Sequence, residues 1–141
     1  MYSLSSNKTL FAKGVIGCKA SVTSVPFTSD SVDLQDASAT QFLIVGRDKS
    51  SDRVVAIYLN KDISPGTYSI GRNEKVFAYY YHRYEDFGWS YFADSGTFTV
   101  VSVDFAKTQF DGTFSFNAPG MEGEPEMKIT DGVVTLTGPS R

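Results

Sequence analysis

The sequence predicts an all-β domain: an antiparallel β-sandwich of about nine or ten strands, with a closed or partly closed β-barrel as the alternative. Three observations lead there. Eleven Phe and eight Tyr stand among 141 residues, with abundant Thr and Ser, and aromatic and β-branched residues favour strands. In Phe110-Asp111-Gly112-Thr113-Phe114-Ser115-Phe116-Asn117-Ala118, apolar or small residues hold every even position and polar residues every odd one. That period of two gives a strand one dry face and one wet face, and places Phe114 and Phe116 in the core. Twelve Gly and five Pro supply turns, and no segment sustains a helical period.

In chain order, Leu10–Ile16 and Lys19–Phe27 read as strands separated by a turn at Gly14 and Gly17. Ser29–Ala39 is polar and reads as a long connection, with room for one helical turn at Val32–Ala37. Gln41–Gly46 and Arg53–Asn60 are strands flanking the polar turn Arg47–Asp52. Ser64-Pro65-Gly66 is a turn in which Pro presets φ. Lys75–Tyr84 and Trp89–Ala93 form a hairpin around Glu85–Gly88, and Gly120–Pro125 is a loop. Asp131-Gly132 between apolar runs predicts a tight hairpin turn, with Gly132 at positive φ, pairing Glu126–Thr130 with Val133–Thr137. Gly66-Thr67-Tyr68-Ser69, Gly96-Thr97-Phe98-Thr99 and Gly112-Thr113-Phe114-Ser115 read as a strand-opening device. Their unequal spacing excludes a solenoid or propeller.

Length suits one domain, 1–141, and 41% hydrophobic with 21% charged residues suits a packed core. A net charge of −3 argues against nucleic acid as a partner. No apolar run approaches the roughly 20 residues that span a bilayer. One Cys excludes an intrachain disulfide and a cysteine zinc site, and one His excludes a histidine cluster. There is no phosphate loop, dinucleotide fingerprint or nucleophile elbow. Glu85 and Asp86, beside His82, are adjacent carboxylates that point apart and make a poor acid–base pair. Glu122, Glu124 and Glu126 lack the spacing of a calcium loop and read as solvated charge. Arg47, Arg53, Arg72 and Arg83 read as ordinary surface charge. The expectation is therefore no catalytic residue, no cofactor and no metal.

Ser95-Gly96-Thr97-Phe98-Thr99-Val100-Val101-Ser102-Val103-Asp104, then Gly112-Thr113-Phe114-Ser115-Phe116, then Ile129-Thr130-Asp131-Gly132 carry a resemblance. They resemble a family of small, uncharacterised β-rich bacterial proteins, many of them predicted lipoproteins or secreted proteins. Pro65-Gly66-Thr67-Tyr68 and Phe11-Ala12-Lys13-Gly14 fit its earlier blocks. The resemblance covers the last half of the chain well and the first half loosely. It implies an all-β domain and brings no active-site residue. The chain departs from the pattern in lacking a signal peptide and in an aromatic insertion around Tyr79–Phe92. Val15-Ile16-Gly17-Cys18 matches a lipoprotein cleavage box, but Asn7, Lys8, Thr9, Lys13 and Gly14 interrupt the apolar core that a signal peptide needs. Cys18 is thus expected in or beside a strand, in a cytoplasmic protein or the mature part of an exported one.

The aromatic run Phe77–Tyr84, with Phe87, Trp89, Tyr91 and Phe92, is the most unusual feature. Alternation puts Phe77, Tyr79, Tyr81 and Arg83 on one face, and Ala78, Tyr80, His82 and Tyr84 on the other. Rings on both faces either fill a doubly packed strand or serve a binding surface, for which Tyr and Trp suit. On the binding reading, Tyr80, Tyr84, Trp89 and Tyr91 are the contact residues. The expected function is then a non-catalytic binding module for a protein or carbohydrate ligand. A small soluble inhibitor or immunity-type interaction partner is the alternative, and a small enzyme ranks last.

Overall fold

A computed structural model describes residues 9–140, so the ends of the expected 1–141 domain, Asn7 and Lys8 among them, lie outside the described residues. Eleven strands follow in order: β1 (Thr9–Ala20), β2 (Phe27–Thr28), β3 (Ser31–Asp36), β4 (Gln41–Asp48), β5 (Arg53–Asn60), β6 (Gly66–Ser69), β7 (Val76–Arg83), β8 (Gly88–Phe92), β9 (Ser95–Asp104), β10 (Gln109–Ala118) and β11 (Met127–Pro139). A single 3-10 turn at Phe105–Lys107 is the one helical feature among the described residues. The strands make one antiparallel sheet in the order β6-β9-β10-β11-β1-β3-β4-β5-β7-β8, with β2 added on β1. The sheet curls into a half-barrel. Hydrogen bonding runs unbroken from β6 to β8, as in a barrel. One core joins side chains from both halves, Val55 and Ile57 with Phe98 and Phe116, as in a sandwich. No described helix is long and apolar enough to cross a membrane.

Alternation builds this core. Along β10, Phe110, Gly112, Phe114, Phe116 and Ala118 are buried, and the intervening residues face outward. Phe98 stacks on Phe114 (5.7 Å between centroids, 4° between planes), and Phe114 on Phe116 (6.4 Å, 20°). Ile16, Cys18 and Ala20 from β1 meet them as the inward row of that strand.

Four expectations need correction. The glycines Gly14 and Gly17 make no turn. β1 runs through both, and the register against β11 shifts at Lys13/Gly14 and Gly17/Lys19. Ser29–Ala39 is no connection and holds no helical turn, because Ser31–Asp36 is a strand with Val32 and Leu34 buried inward. Its outward polar residues conceal the period: Asp33 is buried, yet accepts from Arg47 at 3.0 Å and Gln35 at 3.2 Å. Gly112 opens nothing, since it lies inside β10, whereas Gly66 and Gly96 do stand at strand starts.

The fourth correction is the hairpin at Asp131-Gly132. β11 is one continuous strand between β10 and β1. Both neighbours skip a residue there: Phe114 faces Gly132 while Phe116 faces Ile129, and Gly17 faces Val133 while Lys19 faces Thr130. This is a β-bulge, which kinks a strand and tightens its twist. Asp131, not Gly132, takes the left-handed conformation, at φ 54°. Asp tolerates it where most side chains do not. The bulge also shifts the alternation by one residue, so the same face stays inward. Met127 and Ile129 point inward before it, and Val134 and Leu136 after it. Gly132 is glycine because Phe114 lies across it: a Cβ there would sit 2.5 Å from the Phe114 ring and 2.6 Å from its carbonyl oxygen.

Truncating Phe116 to Ala is expected to cost about 3–5 kcal/mol, the usual range for a buried aromatic. A urea midpoint left in place would contradict the inward assignment of β10. Gly132→Val should destabilise by more than about 1 kcal/mol through overpacking, while Asp131→Gly should be tolerated, because glycine adopts positive φ without strain. The reverse ranking in denaturation would restore the hairpin.

Candidate functional site

The aromatic run lies on β7 and β8, at the β8 edge of the sheet. Register decides which rings face where. Tyr80 pairs with Val55 on one side and Tyr91 on the other, and these three point inward. Tyr79 pairs with Ala56 and Phe92 and points outward, as do Phe77 with Tyr58, and Tyr81 with Ser90.

The inner row ends in a buried polar cluster. Arg53 is only 3% exposed, which corrects its assignment to the surface. Its guanidinium donates to the carbonyls of Val25 (3.1 Å) and Pro26 (2.7 Å), to Ser51 Oγ (3.1 Å) and to Tyr80 Oη (3.1 Å). Asp48 lies 3.9 Å away, and the Phe27 ring lies below at 5.6 Å. Arg can only donate, so Tyr80 accepts from Arg53. The Tyr80 hydroxyl also hydrogen-bonds with His82 Nδ1 at 2.6 Å. Burial first, and then the Arg53 charge, lower the His82 pKa. Burial pushes the Tyr80 phenol up to about 12 and raises Tyr91 as well, helped by a hydrogen bond with Tyr84. Cys18, in the same interior, is pushed up to about 12 by burial.

Of the four contact residues expected from sequence, Tyr80 at 0% and Tyr91 at 2% exposure are core residues. A ring packed inside cannot meet a ligand, so both are corrected. The physical reason is the Arg53 bond to Tyr80 and the packing of Phe27 edge-on against that ring (6.5 Å, 89°). Tyr84 is half-buried; its hydroxyl and that of Tyr91 are 2.5 Å apart and border a cleft of ≈ 410 Å³ below the acidic loop at Glu124 and Glu126. Trp89 is 40% exposed and borders a cleft of ≈ 310 Å³ shared with Arg72 and Phe92.

The outer face carries what sequence reasoning passed over. Phe77 and Phe92 are parallel, 6.3 Å apart and 6° between planes. Tyr58 flanks Phe77 at 6.2 Å, and Tyr79 flanks Phe92 at 5.3 Å. Arg72, from the β6–β7 turn, lies over both Phe rings at 5.1 Å and 5.7 Å. Together they floor an open cleft of ≈ 620 Å³ whose rim adds Gln41, Asn73 and Glu74. That size falls in the range of small-ligand sites. Phe92 is 44% exposed. Gly88 closes the edge, with the Tyr81 ring lying where its side chain would be. The clue in the sequence was the company that each face keeps. Val76 and Ala78 share the Tyr80 face, and mixing small and large apolar residues is the mark of a packed layer. The opposite face carries amphipathic Tyr and ends in Arg83. No group of three or more potential metal ligands occurs among the described residues.

The fold and this face define a class: a small, curled all-β domain with an aromatic outer surface. A family model described as "Domain of unknown function (DUF6252)" matches residues 17–136, and the chain belongs to that family. No curated protein and no solved structure matches it.

Because the folded His82 pKa lies below its unfolded value near 6.5, His82 contributes stability that is fully present above about pH 6.5. That contribution is lost as pH falls from there through the folded value. Urea midpoints measured from about pH 8 to pH 5 should fall more in the native chain than in His82→Gln; parallel curves would contradict the assignment. A thiol raised to about 12 carries little thiolate. Cys18 should therefore resist iodoacetamide in the folded protein and react fully in urea, whereas rapid native labelling would place it outside the core.

Proposed function

We propose that the chain is a non-catalytic binding module whose contact surface is the outer aromatic face of β5, β7 and β8. The observation that carries this reading is the floor of Tyr58, Phe77, Tyr79 and Phe92, left open beside Arg72. Rigid rings with polar tips give large contact area at low entropy cost, and Tyr, Trp and Arg dominate the residues that contribute most to binding. Trp89 and Tyr84 stay in the proposal as rim residues, one beside the aromatic cleft and one beside the acidic loop. The hydrogen bond between His82 and the buried Tyr80 hydroxyl supports a structural role for His82. The bacterial and exported setting implied by the resemblance belongs to the same proposal.

The test is an array of glycans and candidate proteins, read by Trp89 fluorescence and repeated with Phe92→Ala. A ligand whose binding weakens by about 2 kcal/mol in that variant is the expected result. Ligands that bind equally well to both chains would refute the face as the contact surface.

A further inference from the structure

Resting on the binding reading, we infer that the cleft floored by Phe77, Tyr79 and Phe92 takes a carbohydrate, a short stretch of neutral pyranose rings. The floor and the rim each argue for this. A pyranose face presents a row of C–H bonds of slight positive charge, and the face of an aromatic ring is negative. Phe77, Tyr79 and Phe92 supply such faces and are partly open to solvent, with the Arg72 guanidinium covering part of the two Phe rings.

The rim supplies the second half of the chemistry. Gln41, Arg72, Asn73 and Glu74 all end in planar two-pronged groups: two amides, a guanidinium and a carboxylate. Among the described residues, their side chains make no hydrogen bond or ion pair within the protein; at Gln41 it is the backbone that is engaged, its N–H with Ser38 Oγ at 3.1 Å and its carbonyl with the N–H groups of Ala37 and Ser38 at 3.0 and 3.1 Å. Arg72 meets only the two Phe rings. Neighbouring hydroxyls on a sugar each donate and accept, at a spacing that planar forks match two at a time. One guanidinium balances one carboxylate, so the rim favours an uncharged ligand rich in hydroxyls over a phosphate or a polyanion. The cleft, at ≈ 620 Å³, has room for more than one ring and is open to solvent. A buried apolar anchor from a protein partner would instead call for a rim free of uncommitted polar groups, since each one desolvated without a partner opposes binding.

The experiment titrates the intact chain with oligosaccharides of three to six units built from glucose, xylose, mannose or N-acetylglucosamine. Trp89 emission is the readout, because Trp89 borders the adjoining cleft that shares Arg72 and Phe92. Binding should weaken at least about tenfold in Phe92→Ala and in Tyr79→Ala, and should survive in Phe92→Trp. Asn73→Gly, which keeps the positive φ of 67° without strain, should weaken it while leaving the circular dichroism unchanged, which separates loss of the rim from loss of the fold. A panel in which no sugar binds overturns the inference. If a purified protein then binds and depends on Phe92, the binding reading stands and only the ligand class is wrong. Sugars that bind with no dependence on Phe92 or Tyr79 overturn both.

Discussion

The guanidinium of Arg53 fixes which side of the β7–β8 hairpin meets water. A buried cation is tolerable only when its donors are satisfied, and breaking such a set leaves an uncompensated charge costing about 3–5 kcal/mol. Here the carbonyls of Val25 and Pro26, Ser51 and the Tyr80 hydroxyl meet that demand. Because Tyr80 must point in, its neighbours on the strand must point out, and a slip of one residue would exchange every ring. The same contacts tie the segment before β2 to β5 and β7, which joins distant parts of the sheet at one end of the core. Tyr80 passes the constraint on to His82 and, through packing at 6.2 Å, to Tyr91.

The opposite half of the sheet is shaped by a different constraint. Among the described residues β11 is the longest strand, and the bulge at Asp131 changes its register against both neighbours at once. A bulge adds twist, and twist is what lets a ten-strand path curl over one core instead of lying flat. Curling leaves two edges, β6 and β8, of four and five residues. Short edges limit uncontrolled strand pairing. At β8 the outer rings then lie partly exposed beside an edge. The proposed contact surface is therefore a consequence of where the sheet ends as much as of which residues are aromatic.

Much of this was legible in the sequence, and the parts that were not have physical causes. The class, the alternation of β10 and the hairpin of β7 and β8 could be read directly, because period two needs no tertiary information. The two faces of Phe77–Tyr84 were separable for the same reason. Which face is wet was not legible in that way, since it depends on Arg53, 27 positions from Tyr80 in the chain. Arg in a sequence reads as surface charge unless its partners are known. Asp131-Gly132 misled because the backbone preference is real and its consequence is not unique: positive φ at Asp131 serves a bulge as well as a turn. β3 was hidden because Asp33 and Gln35 looked like loop residues, although Val32 and Leu34 already marked the period.

The orientation of the β7–β8 hairpin decides which rings reach solvent, and hydroxyl-radical footprinting read residue by residue by mass spectrometry tests it most directly. Tyr79, Tyr81 and Phe92 should be oxidised at rates fitting open or half-open rings, while Tyr80 and Tyr91 should stay protected until the protein unfolds. Oxidation of Tyr80 and Tyr91 at the rate of Tyr79 in the native protein would contradict the register, and with it the aromatic cleft and the function drawn from it.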